Sequence, residues 1–243
     1  MTGKYTIITL KELESTNDFA KSLIAKSDAE HFTVIVAENQ IKGRGQRGNV
    51  WQSQQGKNLT FSVIIKPLIN AKNQFYISKV VSLALLDIID KYTENVSIKW
   101  PNDIYVDNKK IAGILIENII QANRVNTSII GIGLNVNQEI FDKTLLNPVS
   151  LKQITGNIIN KENLLNSILN NINNFTKIID NKELIDKLYL NRLFGFNQEL
   201  LFKNKNNQKF KAIIKNISYS GKLILQIGNN LQEFDFKEII FLF

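Results

Sequence analysis

Cysteine is absent from the 243 residues, which excludes disulfides, thiolate zinc sites and thiol nucleophiles. Histidine occurs once, at His31, so no metal site can rest on two imidazoles. That residue precedes the strand-like FTVIVAE at 32–38 and reads as a plain loop side chain. No apolar run reaches the roughly 18 residues that cross a bilayer. The first ten residues carry one lysine ahead of a short β-like TIITL, without the basic, long-apolar, small-residue order of a signal peptide. These absences predict a soluble, cytoplasmic chain with no membrane association.

What is present begins with a hydrophobic fraction of 44%, enough to bury a proper core. The length suits one large domain, or a large one with a small one. The net charge of +8 invites a nucleic-acid reading. The lysines, however, are scattered singly, and segments such as NIINKENLLNSILNNINNF at 157–175 are crowded with Asn, Ile and Lys. That bias resembles the codon drift of an AT-rich genome, so the charge alone does not point to DNA.

Hydrophobic spacing predicts a helix over Asn17–Lys26 capped by Ser15 or Thr16, then strands at Thr33–Ala37 and Leu59–Lys66. A helix is expected over Phe75–Tyr92, where Val80, Val81, Ala84, Leu85, Ile88 and Ile89 share a face. β-Rich runs follow: Ser97–Trp100 into Asp103–Val106, then Ile111–Ile120, then Arg124–Val136, with Asp107–Asn108 as a hairpin turn between the first two. Helices return at 161–180 and 182–194. Beyond Phe194 come five short β runs: Gln198–Lys203, Lys209–Ser218, Leu223–Ile227, Gln232–Phe236 and Glu238–Phe243. Asn-, Gly- and Ser-containing turns separate them, which suggests a small barrel. The expected class is α+β: a mixed sheet with helices packed on it over 1–193, then a small β-barrel over 194–243.

Three segments carry chemistry. KGRGQRGNVWQS at 42–53 has three glycines that allow close backbone approach. Arg44 and Arg47 add forked donors for phosphate or carboxylate oxygens, and Trp51 offers a flat face for a base. A basic surface turn, or a loop gripping nucleic-acid phosphates, explains the same residues. Gly43, Gly45 and Gly48 satisfy the dinucleotide-binding spacing, but a loop and a strand follow where a helix is required, and no Gly-Lys-Ser/Thr is present for a P-loop. The arginines have no obvious partners in the sequence, so the loop is expected to be mobile until an anion arrives. KWPNDIYVDNKKIAG at 99–113 gathers Lys99, Asn102, Asp103 and Lys110 in one hairpin, a set suited to a nucleoside triphosphate and its Mg²⁺, or else an ordinary charged turn. GIGLNVN at 131–137 places glycines inside a strand, where a ligand or another backbone comes close. Asn135 there either reads a base edge or is a buried structural amide.

Taken in order, ESTN (14–17), GRGQRGNVW (43–51), KWPND (99–103), KIAGILIE (110–117) and GIGLNVN (131–137) resemble the biotin protein ligase family. That resemblance implies a biotin/lipoate ligase-like fold, akin to class II synthetases, followed by an SH3-like C-terminal domain. Because the chain starts almost at ESTN, it resembles the short type without an N-terminal DNA-binding domain. The implied activity is ATP-dependent formation of biotinyl-5'-AMP, then transfer of biotin to a lysine of a biotin carboxyl carrier domain of acetyl-CoA or pyruvate carboxylase. A monomer or homodimer, with no DNA partner, is expected.

The implied roles follow the motifs. Ser15, Thr16, Asn17 and Gln40 meet the ureido ring of biotin, with Gly43, Arg44, Gly45, Gln46, Lys110 and Gly113 around the rest of it. Arg44, Lys110, Lys99 and Asp103 serve catalysis, and Arg47, Trp51, Lys99, Asn102 and Asn135 hold ATP, with Asp103 on Mg²⁺. One departure stands out, since Gln46 occupies the place of the family's second loop arginine, which helps retain the adenylate. Two alternatives remain: a lipoate-type ligase or acyltransferase of the same fold, and a nucleic-acid-binding module.

Overall fold

The computed structural model describes residues 5–26 and 29–242, apart from the Arg47 side chain. The expected end of the last strand at Phe243 lies outside the described residues. Strand β1 (Thr6–Leu13) leads through helix α1 (Thr16–Lys26) to β2 (Thr33–Gln40), which pairs parallel with β1. A helix is the usual crossover between parallel neighbours. The sheet continues with β3 (Leu59–Ile65) and the two-residue β4 (Ile69–Asn70). After helix α2 (Phe75–Ile89) come β5 (Val96–Lys99), β6 (Asp103–Val106), β7 (Lys109–Gln121) and β8 (Arg124–Leu134). Their order is β1-β2-β3-β8-β7-β6-β5, with β4 beside β8, and every pair except β1–β2 is antiparallel.

Period-2 alternation divides β3 between two faces. Phe61, Val63 and Ile65 face the main core with α2, while Ile64 joins Ile35, Ile129 and Ala20 beneath α1. Helix α2 is apolar nearly all round, because α4 (Lys161–Lys177) and α5 (Lys182–Asn191) cover the side that the sheet does not. Arg192, just past α5, forks onto Asp90 through two hydrogen bonds of 2.7 Å. The short helix α3 (Leu151–Thr155) was not anticipated. Five residues carry too little periodicity to register, although Ser150 and Gln153 form a capping box there. The helix expected over 161–180 stops at Lys177, and β5 and β6 are separate strands joined by the Trp100–Asn102 turn.

The C-terminal segment forms β9 (Glu199–Asn204), β10 (Lys209–Ile217), β11 (Leu223–Ile227), β12 (Asn230–Phe234) and β13 (Ile239–Leu242), in the order β12-β11-β10-β9-β13. The outermost strands are joined by only four residues, so the sheet curls like an SH3-type barrel. Among the described residues, no ladder pairs β12 with β13 to close it. The segment leading from α5 to this sheet is fastened to β5 by Ile98 N donating to Arg192 O at 2.8 Å and Phe194 N donating to Ile98 O at 2.9 Å. The Trp100 indole also donates to Gly221 O at 2.8 Å.

Tyr189 is fully buried beside Phe75, and its hydroxyl has no partner among the described residues. A buried unpaired hydroxyl costs on the order of 1–3 kcal/mol. Tyr189→Phe keeps the ring and removes that cost, so its thermal midpoint is expected to equal or exceed that of the parent. A clear fall in a melting scan would show that the hydroxyl is paired.

Candidate functional site

The site begins with a register. Ser62 on β3 pairs with Gly131 on β8, which pairs with Leu115 on β7; two residues along, Thr60 meets Gly133, and Gly133 meets Gly113. Alternation turns this small-residue set to one face, leaving a floor low enough for a ligand. A cavity of about 490 Å³ stands on it, lined among others by Ser15, Thr16, Asn17, Gln40, Arg44, Gln46, Trp51, Lys99, Asp103 and Lys110. From the second sheet, Phe236, Lys237, Ile239, Ile240 and Phe241 supply another wall.

At one end lie uncharged hydrogen-bonding groups. Ser15 caps α1 by accepting from Asp18 N at 3.4 Å. Thr16 donates to the Gln40 amide oxygen from its backbone (2.8 Å) and its hydroxyl (3.1 Å). Asn17 sits directly over Gly131, where any Cβ would overlap its amide oxygen. Ser62, fully buried beneath, has its hydroxyl 2.7 Å from Thr16 Oγ1 and 2.6 Å from Asn17 Oδ1.

At the other end lie charges. Strand register sets Lys99 opposite Asp103, and Lys110 Nζ pairs with Asp103 at 2.7 Å. Lys99 Nζ donates to the Tyr105 hydroxyl at 3.2 Å and lies over the Tyr105 and Phe241 rings. Burial pushes its ammonium below the usual lysine range, an effect that Asp103 opposes and Lys110 reinforces.

Segment 42–53 folds back as a small hairpin, with Arg44 bridged to Val50, Gly45 N bonded to Asn49 O at 2.7 Å and Trp51 N to Gly43 O at 2.9 Å. A side chain at Gly43 would overlap the Trp51 carbonyl. The Trp51 ring lies over Gly133 and against Gly113, with Lys110 Nζ 5.8 Å from its centroid. Its indole N–H is buried without a partner among the described residues. The expectation that the loop arginines lack partners is corrected for Arg44. It pairs with Asp18 through Nη1 and with Glu117 through Nη2, the latter at 3.1 Å. The Arg47 side chain lies outside the described residues.

Other expected site residues are placed differently. Asn102 lines the cavity, yet its amide donates to Ile114 O at 2.6 Å and so splices the turn to β7. Gly43 and Asn135 are not in the lining. Asn135 donates to Val149 O at 3.0 Å, tying the end of β8 to the segment ahead of α3. His31 accepts from Lys66 N at 3.0 Å, as a loop residue would. Among the described residues, no helix is long and apolar enough to cross a membrane.

A model of the biotin/lipoate A/B protein ligase family matches residues 10–135, just over half of the chain. The chain belongs to that family. The matched span runs from the end of β1 to the end of β8 and so contains the whole floor of the cavity. Within the family, the biotin protein ligase of Aquifex aeolicus in complex with biotin and ATP superposes with a TM-score of 0.79 at 26% identity, covering 98% of each chain. The bifunctional ligase/repressor BirA of Bacillus subtilis is 35% identical over 161 residues, 65% of this chain and 49% of that protein. Biotin–protein ligase 2 of Arabidopsis thaliana is 31% identical over 215 residues, 82% of this chain and 63% of that one. The chain thus spans about half the length of the bacterial relative.

Sequence reasoning passed over Ser62, Glu117 and the wall at 236–241. Glu117 closes the KIAGILIE segment and was visible there as the one acid of an otherwise largely apolar run. Nothing in the sequence marked Ser62 or the wall.

Proposed function

We propose that this protein is a biotin protein ligase, acting through biotinyl-5'-AMP on a lysine of a biotin carboxyl carrier domain. The observation that carries the reading is the polarity of the cavity over the β3–β8–β7 floor. Uncharged amides and hydroxyls line its floor beneath a loop arginine, and two lysines flank Asp103 at its other end. Biotin matches that division, with a neutral ureido ring at one end and a carboxylate at the other. The likeness to the Aquifex aeolicus enzyme in complex with biotin and ATP supports it.

In the proposed reaction a carboxylate oxygen attacks the α-phosphorus of ATP, the bond to the β-phosphate oxygen breaks, and pyrophosphate leaves. The carrier amine then attacks the anhydride carbonyl and AMP leaves. Both partners of the first step are anions. One positive charge about 4 Å away in a partly wet site contributes roughly 4 kcal/mol gross, so Arg44, Lys99 and Lys110 act by fixed charge and position. Trp51 covers the adenine, Gln40 and residues 15–17 hold the ureido ring, and Gln46 lies along the loop. Asp103 is the carboxylate of the lining. A single carboxylate of this kind would hold Mg²⁺ together with substrate phosphates. The division into a catalytic unit over 1–193 and a small β unit over 194–243 is part of the same reading, supported by the change from helices to five short strands.

Calorimetry with biotin, with and without ATP, and pyrophosphate release with biotin and with lipoate test the reading. Biotin binding that tightens with ATP, with release on biotin alone, is the expected result. Release on lipoate alone would make the chain a lipoate-type ligase. Salt-dependent binding of DNA or RNA without biotin affinity would end both readings.

Gln46 carries its own expectation. A neutral amide contributes about 1 kcal/mol to a hydrogen bond where a charged group contributes roughly 1.5–3 kcal/mol. Gln46→Arg is therefore expected to slow release of radiolabelled biotinyl-adenylate about tenfold. Identical release rates would mean that another residue already retains it.

A further inference from the structure

Glu117 stands where the floor meets the loop. Its Oε1 accepts from Lys21 Nζ at 2.7 Å and Arg44 Nη2 at 3.1 Å, and its Oε2 accepts from Asn17 Nδ2 at 2.9 Å. The same Asn17 nitrogen donates to Leu115 O at 3.3 Å. A carboxylate and a carbonyl only accept, so together they fix which end of the Asn17 amide is nitrogen. The amide oxygen is thereby left over Gly131, beside the Ser62 hydroxyl.

We propose that Glu117 is a positioning residue for the ligase: it holds Asn17 with its oxygen presented to a ligand N–H, and it ties the Arg44 loop to that floor. The proposal rests on the ligase reading above and adds to it a residue that touches no substrate. A guanidinium has five N–H donors. The bonds to Asp18 and Glu117 run through Nη1 and Nη2, so Nε and further Nη hydrogens stay available for a ligand carboxylate. Two acids, Asp18 and Glu117, face two bases, Lys21 and Arg44, so the tie sets position without adding net charge. Burial by itself would raise the Glu117 carboxyl, but hydrogen bonds from Lys21 and Asn17 and the charges of Lys21 and Arg44 hold it below the usual range. It is therefore an ionised acceptor at neutral pH.

Glu117→Gln tests this, because a glutamine can offer N–H to Asn17 and let that amide turn over. Biotin affinity by calorimetry is expected to fall at least about tenfold, and equally for biotinamide, whose carboxylate is gone. At saturating biotin, kcat should stay within about threefold, so the loss appears in KM. Without ligand, tryptic cleavage after Arg44 should quicken severalfold in the variant. A lower thermal midpoint with unchanged affinity and cleavage would reduce Glu117 to a structural residue and overturn the proposal, as would no change at all. If Glu117→Gln does not fold, Glu117→Asp serves. Its shorter carboxylate reaches Asn17 or Arg44 but not both, and wild-type affinity for biotin would be fatal to the idea. Failure of the wild-type protein to bind biotin would retire the ligase reading instead, while the cleavage comparison would still decide whether Glu117 ties the loop.

Discussion

Replacing Arg44 or Lys110 by alanine is expected to slow adenylate formation about a hundredfold or more, roughly 3 kcal/mol of transition-state stabilisation. In the proposed reaction two anions must meet in the cavity, and both side chains line it. Neither is needed for the fold. Lys110 is held in place by its backbone, which bonds Asn147 O at 2.7 Å and Val149 N at 2.9 Å whatever the side chain. The Arg44 side chain is 40% exposed, and pairs of that kind contribute little to stability. Pyrophosphate release and the thermal midpoint should be measured together. Activity within about threefold of the parent would remove the residue from the mechanism.

Gly131→Ala is expected to cost at least about a hundredfold in biotin affinity, equivalent to roughly 2.7 kcal/mol. A methyl group there overlaps the Asn17 amide oxygen. Asn17 cannot retreat, because Ser62 holds its oxygen while Glu117 and Leu115 hold its nitrogen. The floor must yield instead, at an overpacking cost of about 1–3 kcal/mol, so the thermal midpoint should drop as well. Calorimetry giving parental affinity would mean that ligands do not rest on this amide.

The loop, the floor amides and the charged hairpin were legible because each is contiguous in the sequence. Ser15 to Asn17, Arg44 with Trp51, and Lys99 with Asp103 and Lys110 all line one cavity. What was not legible depends on register between strands distant along the chain. Ser62 lies 45 residues from Asn17, and Glu117 lies 100 from it, separations that no spacing rule links. Asn135 illustrates the converse. Its motif is plain, but whether an amide faces a ligand or a carbonyl depends on where the chain goes next, here to Val149. In the fold, element type was read correctly for the long elements, while the five-residue α3 and the two-residue β4 were too short to show a period.

The cavity draws its walls from Ser15 at one extreme and Phe241 at the other. On the ribosome, the eight-stranded sheet and its floor emerge first, together with every charged group assigned here to catalysis. The wall from β13 comes some hundred residues later than the last strand of that sheet. Until it arrives the trough stands open on that side, with Lys99 facing water where it later lies over the Phe241 ring.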